Sequence, residues 1–316
     1  MTYSLHSIAQ RLAAMQQNRV LARHLLPAPH YCALPDARPL DGIDLERLTW
    51  QPLPYHTYWG TWQTNFVMRL RLSRPTDWQP DNSIALHLPL SDAADDFEVH
   101  PEVLIYADGV PFAAADLRHN LIALPPHLLD GREHELLLHG WTGLGGSLND
   151  DYRPRHYLQP CALLRLDNHL HRFTVLARNV LETVQRTPPD FAPRGALIAA
   201  LEKAFHVLES HGADAATTAL EEGLHMLPNA HPMHLYAVGH AHIDTAWLWT
   251  LAQTRGKAAR TFHTVLSLMA RFPHYHFVQS QPQLYAFIQQ DYPELFARIR
   301  QRVADGRWEA LGGMWV

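Results

Sequence analysis

The sequence is short of cysteine, of long apolar runs and of positive charge. Only Cys32 and Cys161 occur in 316 residues, too few for a disulfide framework, so a reducing, cytoplasmic compartment is expected. No stretch approaches the ~18 uninterrupted apolar residues of a membrane helix, and no membrane partner is expected. The N-terminal Met1-Thr2-Tyr3-Ser4-Leu5-His6 lacks the basic segment and apolar core of a secretory signal. Lysine and arginine number 26 against 31 acids, a formal charge of −5, which removes the electrostatic ground for nucleic-acid binding. Internal repeats and low-complexity tracts are missing as well.

What is present is an ordinary globular composition, 47% hydrophobic and 18% charged. At ~150 residues per domain the length corresponds to about two domains. Histidine is in excess, at 23. Residue usage alone can raise that count, so spacing has to decide whether any histidine binds metal.

The hydrophobic period changes along the chain and predicts a multidomain α+β arrangement followed by α/β. Residues 1–57 open with an amphipathic helix, Ile8, Leu12 and Met15 on one face, and continue as an extended segment punctuated by Pro27, Pro29, Pro35, Pro39, Pro52 and Pro54. Residues 58–162 read as short strands. Met68, Leu70 and Leu72 fall on one face, Ile84-Ala85-Leu86-His87-Leu88 repeats the device, and Val103-Leu104-Ile105-Tyr106-Ala107 runs into the hairpin signal Asp108-Gly109. Such strands predict a β-sandwich-like domain. Its Trp59, Trp62 and Trp78 form either a sugar-binding face or core and edge aromatics, and the second reading is the simpler. Residues 163–231 read as a helical linker. Phe173, Leu176, Val180 and Val184 mark one helix, Leu197, Leu201, Phe205 and Leu208 a second closed near His211-Gly212, and residues 215–227 a third. Residues 232–316 alternate strand and helix: a buried strand at 235–239, a long helix from near Trp247 to Arg271, a strand at 275–278, helices near 283–290 and 293–304, and a strand opening at Trp308. That order predicts a parallel sheet in an α/β domain, ending inside an apolar, strand-like stretch.

The stretch with chemical content is Val238-Gly239-His240-Ala241-His242-Ile243-Asp244-Thr245-Ala246-Trp247. It falls where a strand ends and a helix begins, the place at which parallel α/β sheets gather ligands. Alternation sends His240, His242 and Asp244 to one side. Two imidazoles and a carboxylate suit zinc, and a complete zinc site needs three or four ligands, so at least one more must come from elsewhere. Trp247 offers either a platform for the apolar face of a sugar ring or a packing residue for the following helix.

These residues belong to a longer ordered string. Gly239-His240-Ala241-His242-Ile243-Asp244, Ala246-Trp247-Leu248-Trp249, Lys257-Ala258-Ala259-Arg260-Thr261-Phe262, Gln279-Ser280-Gln281 and Gln283-Leu284-Tyr285 are followed by Asp291-Tyr292-Pro293-Glu294-Leu295-Phe296, Gly306-Arg307-Trp308-Glu309 and Gly312-Gly313-Met314-Trp315-Val316. Together they resemble the start of the catalytic domain of family 38 glycoside hydrolases, the class II α-mannosidases. The likeness is to the cytosolic and vacuolar branch with its bacterial members, in which a β-rich domain and a helical linker precede a (β/α)-barrel-like catalytic domain. Asp116-Leu117-Arg118-His119-Asn120 with Leu124-Pro125 adds a weaker match. The resemblance implies that His242 and Asp244 are zinc ligands, that Trp247 stacks on bound mannose, and that His240 orients the site from behind the ligands. It further implies α-mannoside oligosaccharides as substrates, and self-association into a homo-oligomer stays open. The family's other zinc ligands are an aspartate, which doubles as the nucleophile, and a histidine. These and the acid/base aspartate fall beyond Val316.

Retaining mannoside hydrolysis needs two carboxylates ~5 Å apart, and a covalent path without its nucleophile is closed. The chain therefore reads as the N-terminal part of a zinc-dependent retaining α-mannosidase, inactive in isolation, with no catalytic residue of its own. Asp291, Glu294 and Glu309 are the nearest carboxylates, and each has a structural reading, the first two near helix starts. A His-x-His at a strand end also suits metal-dependent amidohydrolases and phosphoesterases, with His274 and His276 as the further candidates. A truncated, non-catalytic carbohydrate-binding or assembly protein is the third reading.

Overall fold

A computed structural model of the chain describes residues 4–61, 63–81, 83–92, 100–143, 156–227 and 234–312. The chain begins with helix α1 (Leu5–Gln17) and strands β1 (Val20–Leu25), β2 (His30–Leu34), β3 (Gln51–Pro52), β4 (Tyr58–Trp59), β5 (Asn65–Leu72) and β6 (Ile84–His87). Strands β7 (Glu102–Ala107), β8 (Val110–Ala115), β9 (Leu121–Ala123), β10 (His134–Trp141), β11 (His156–Tyr157) and β12 (Ala162–Leu166) follow. Helices α2 (Asn168–Arg186) and α3 (Arg194–His225) come next. The final stretch holds β13 (Gly239–His240), α4 (Leu251–Arg271), β14 (Phe277–Gln279), α5 (Pro282–Asp291), α6 (Pro293–Ala304) and β15 (Trp308–Ala310). These elements form two compact units, one of residues 1–23 and 164–235, the other of residues 24–163 and 236–316. No described helix is long and apolar enough to cross a membrane.

The first unit is helical. Ser4 caps α1 by accepting the Ser7 N–H at 3.1 Å, and Asp167 caps α2 by accepting the Leu170 N–H at 2.8 Å. Ile8 and Leu12 from α1, Phe173, Val180 and Val184 from α2, and Leu201 and Phe205 from α3 share one core. The rings of Phe173 and Phe205 meet edge to face at 5.5 Å. Gly212 sits inside α3 with φ 83° and ψ −178°, so α3 is two helices end to end, broken where the His211-Gly212 stop predicts.

In the second unit the β-rich part holds a six-stranded sheet in the order β3-β2-β5-β10-β7-β8, its neighbours antiparallel. Leu136 lies opposite Leu70 and Leu138 opposite Met68, so the apolar alternation read from the sequence is the pairing register. Asp108 (φ 48°) and Gly109 (φ 83°) make the two-residue turn between β7 and β8, both left-handed as a type I′ hairpin requires. Smaller antiparallel pairs join β6 to β9 and β4 to β11. Trp59 and Trp78 are buried and Trp59 Nε1 donates to the Leu90 carbonyl at 2.9 Å, so both are core aromatics rather than a sugar-binding face. Trp62 lies outside the described residues. At Gly140 a Cβ would come within 2.0 Å of the Glu102 carbonyl, so only glycine allows β10 to approach β7 there.

The other part of the same unit is a three-stranded parallel sheet, β13-β14-β15, with Gly239 opposite Phe277 and Phe277 opposite Trp308. Helix α4 connects β13 to β14, and α5 with α6 connects β14 to β15, the predicted α/β order. Phe262 of α4, Phe277 and Trp308 pack ring against ring in its core, and Trp308 Nε1 donates to Tyr285 Oη at 2.8 Å. Two boundaries differ from expectation. The buried strand expected at 235–239 is not one: pairing begins only at Gly239, and Leu235 and Tyr236 are both 90% exposed. Helix α4 starts at Leu251 rather than near Trp247, because Thr250 accepts the Gln253 N–H and caps it.

His134 ties the Asp108-Gly109 turn to Asp130-Gly131, the turn before β10. Its Nδ1 lies 2.7 Å from Asp108 Oδ2 and its Nε2 3.0 Å from Asp130 Oδ1, while the ring itself is 4% exposed. Burial pulls its pKa down, but the two carboxylates outweigh burial and leave it raised. A raised histidine pKa stabilises the fold fully below the ordinary value of about 6.5, and the contribution disappears as pH rises through the raised value. The melting temperature of the wild type should therefore exceed that of His134→Gln by more at pH 5.5 than at pH 8.5. Buried His139 and His263, pushed down to about 4 and about 3, titrate alike in both proteins and cancel from the difference. A difference that does not change with pH would remove the ion-pair role of His134.

Candidate active site

The H-x-H-x-D motif starts on His240, the last residue of β13, and continues into the ten residues before α4, which have no regular structure. His242 Nε2 lies 3.1 Å from Asp244 Oδ1, and both side chains are open to solvent, 70% and 45% exposed. His240, His242 and Asp244 line one cavity of about 550 Å³, and so do the intervening Ala241 and Ile243. The wall opposite comes from the β-rich part, through Glu102 of β7 and the turn residues Asp116 and His119 after β8. Ile243 is buried in the core and Ala241 packs partly buried against it, while the His240 and His242 side chains are the exposed ones.

Thr254, fully buried in the first turn of α4, organises the rest of the loop. Its Oγ1 accepts the Ala246 N–H and the Trp249 Nε1–H, each at 3.1 Å, and lies 3.3 Å from the Thr250 carbonyl. Ala246 has φ 70°, a left-handed conformation that costs a residue with a side chain about 1 kcal/mol or more. Trp247 follows it and is 57% exposed, so it does not pack the start of α4. Its ring stands edge-on to Trp249 at 5.3 Å. Trp249 lines the cavity; Trp247 does not.

Three charged residues on the cavity wall were not singled out by sequence reasoning. Lys257 Nζ bonds Glu102 Oε1, and Arg260 bonds Glu102 Oε2 at 2.7 Å. Lys257 Nζ also stands 4.9 Å from the centre of the Trp249 ring, a cation–π contact. Burial favours the neutral form of Glu102, yet the Arg260 and Lys257 charges outweigh it and hold its pKa down at about 2. Glu102 is thus ionised and committed to two cations, which disqualifies it as a proton donor. The partners are 155 and 158 residues apart, so no local pattern announces them.

The remaining sequence candidates lie elsewhere. Since β14 runs parallel to β13 with Phe277 opposite Gly239, His274 and His276 precede the pairing and sit toward the strands' N-terminal ends. His240 and His242 sit at the C-terminal ends, so the two His-x-His words do not converge, and the amidohydrolase reading loses its further ligands. Asp291 closes α5 instead of opening a helix, and Arg255 holds both its oxygens at 2.5 and 2.7 Å. Glu294 is in the first turn of α6 and Glu309 on β15, both exposed. Among the described residues no group of three or more His, Cys, Asp or Glu side chains is close enough to hold a metal ion.

Residues 232–316 match the family model described as the glycosyl hydrolases family 38 N-terminal domain. That segment belongs to glycosyl hydrolase family 38. The resemblance read from its motif words is thereby borne out. The family 38 segment is similar to alpha-mannosidase G of Dictyostelium discoideum, 44% identical over 82 residues, which is 26% of this chain and 8% of that protein. Alpha-mannosidase of Saccharomyces cerevisiae is 42% identical over 84 residues, 26% of this chain and 8% of the relative. Human alpha-mannosidase 2C1 is 42% identical over 94 residues, 30% of this chain and 9% of the relative. The match thus spans less than a tenth of the length of these curated relatives. Among solved structures, a b-glucuronidase from Ruminococcus gnavus aligns at 12% identity over 46% of this chain and 30% of that chain, with a TM-score of 0.32, too low to bear on fold or function.

Replacing Glu102 by Gln leaves Lys257 and Arg260 partly desolvated without an anion. We expect a loss of about 3 kcal/mol in urea unfolding, the low end for a broken buried pair because Lys257 keeps some water contact. A loss under about 1 kcal/mol would mean that water or another acid compensates the two cations.

Proposed function

We propose that the chain forms part of the active site of a zinc-dependent, retaining α-mannosidase acting on terminal α-mannosides of oligosaccharides. The observation that carries this reading is the His242–Asp244 pair, 3.1 Å apart on a cavity wall inside the family 38 segment. One imidazole nitrogen and one carboxylate oxygen, both open to solvent, fit part of a zinc donor set. When bound, zinc would supply Lewis-acid polarisation of sugar hydroxyls.

The chain's own residues would do the following. His242 and Asp244 hold the ion, and His240 orients the loop from the next alternate position. Trp247, exposed, presents its indole to the apolar face of a mannose ring. Lys257, anchored by Glu102, steadies the Trp249 ring on which Trp247 leans. The three parallel strands are read as the first of a (β/α)-barrel-like catalytic domain, and the cytoplasm as the compartment.

Among the described residues three carboxylates line the cavity, and each is committed. Glu102 is bound by two cations, Asp116 Oδ1 accepts the Arg118 and His119 N–H groups at 2.7 Å, and Asp244 is assigned to the ion. None is left for the nucleophile and acid/base pair that retention needs, so we read the 316-residue chain as inactive by itself.

Calorimetric titration of the purified chain with Zn2+ should show a weak site that His242→Ala and Asp244→Ala each remove. Zinc binding indifferent to both substitutions refutes the ligand assignment. Incubation with an aryl α-mannoside and Zn2+ should release no aryl alcohol, and zinc-dependent release would overturn the inactivity. Mannose binding that survives both substitutions favours the non-catalytic carbohydrate-binding reading instead.

A further inference from the structure

The His242–Asp244 pair sits on backbone that neither a ladder nor a helix secures, and side chains from the next strand secure it. Gln279, fully buried at the end of β14, donates its Nε2–H to the Ala241 carbonyl at 2.8 Å. Its Oε1 accepts the N–H groups of Ser280 and Gln281 at 2.8 and 3.1 Å, fixing the turn that follows. Gln281 takes the next alternate residue of the loop. Its Oε1 accepts the Ile243 N–H at 3.2 Å and its Nε2 donates to the Ile243 carbonyl at 2.6 Å.

A two-point clamp on one residue fixes the peptide planes on both sides of it. The Ile243 N–H belongs to the peptide from His242, and the Ile243 carbonyl to the peptide leading to Asp244. Fixing both planes while Ile243 is buried sets the backbone from which His242 and Asp244 project, and both line the cavity. The position of Gln281 supports this use of its amide. It occupies the N-cap of α5, where Ser, Thr, Asp or Asn is favoured, and makes no capping bond to its own helix. Among side chains only the primary amides carry a donor and an acceptor on one planar tip, and Asn is one methylene shorter.

Building on the zinc-site reading, we propose that Gln281 is the positioning residue of the metal-binding pair: its amide grips both polar groups of Ile243 and thereby sets the approach of His242 to Asp244. The test uses the full chain as wild type, Gln281→Met, which keeps length without polarity, and Gln281→Asn, which keeps polarity without reach. Amide hydrogen exchange reports the clamp at Ile243 and, as a control on folding, the β14 amides of Phe277 and Val278. Paramagnetic broadening of the His242 ring signals on titration with Co2+ reports the metal site without any turnover.

In the wild type the Ile243 amide should be protected and His242 should broaden saturably. In both variants Ile243 exchange should accelerate at least tenfold and the Co2+ affinity at His242 should fall on the order of tenfold, with β14 protection unchanged. No broadening of His242 in the wild type sinks the zinc-site reading and the positioning role with it. Broadening at unchanged Co2+ affinity, with Ile243 exchange accelerated, overturns the positioning role alone. Loss of β14 protection in both variants would make Gln281 a folding residue and overturn it equally.

Discussion

Between His240 and Leu251 the chain must satisfy its peptide groups without a strand partner or a helical turn, and everything inferred about the site depends on how it does so. A buried peptide group left unpaired costs about 1–3 kcal/mol. Gln279 and Gln281 reach across from the β14–α5 junction to Ala241 and Ile243, and Thr254 reaches back from α4 to Ala246. The conformation of the loop is therefore set by its tertiary neighbours. It forms only once β14 and α4 are docked, so the donor pair and the parallel sheet assemble together.

The same helix carries the charge balance of the cavity. Lys257 and Arg260 lie on the face of α4 that packs against the β-rich part, and one carboxylate, Glu102, binds both. The ion-pair partner of Asp244 among the described residues is His242. The close approach that brings Glu102 to this place depends in turn on Gly140, where a Cβ would collide with the Glu102 carbonyl. A glycine on β10 and an acid on β7 thus set where the two cations of α4 are held.

This division marks what was legible in the sequence. Local signals were reliable where one residue type has one backbone use: Asp108-Gly109 as a type I′ turn, Gly212 as a break in α3, alternation through Met68, Leu70 and Leu72. The H-x-H-x-D word likewise lies on one cavity at the C-terminal end of its strand, where its position between strand and helix placed it. Burial was harder to read. Leu235, Tyr236 and Val238 look like a core strand, yet pairing starts after them and they are exposed. Trp59 and Trp78 carry the residue type of a sugar platform but are core. His274-Tyr275-His276 copies the spacing of the first His-x-His at the wrong end of the sheet, a distinction of strand direction that spacing does not encode. The Glu102 cluster was invisible because its members meet only through the contact of α4 with the β-rich part.

Ala246 links the geometry of the loop to its exposed indole. A left-handed alanine is disfavoured, and a glycine there would be conformationally easier. The structure holds it by one hydrogen bond from its N–H to Thr254, the same hydroxyl that receives the Trp249 indole. The chain reversal at Ala246 is what sends Trp247 out to solvent while Trp249 returns to the cavity wall under Lys257. Packing alone gives no reason to spend strain on exposing an indole, since an exposed tryptophan gains little from the fold. Strain retained beside an exposed aromatic and a solvent-open His–Asp pair is the pattern expected when a loop's geometry serves a ligand. The polar clamp at Ile243 and the hydroxyl at Thr254 then act on one object, fixing the donor pair at one end of the loop and the indole at the other.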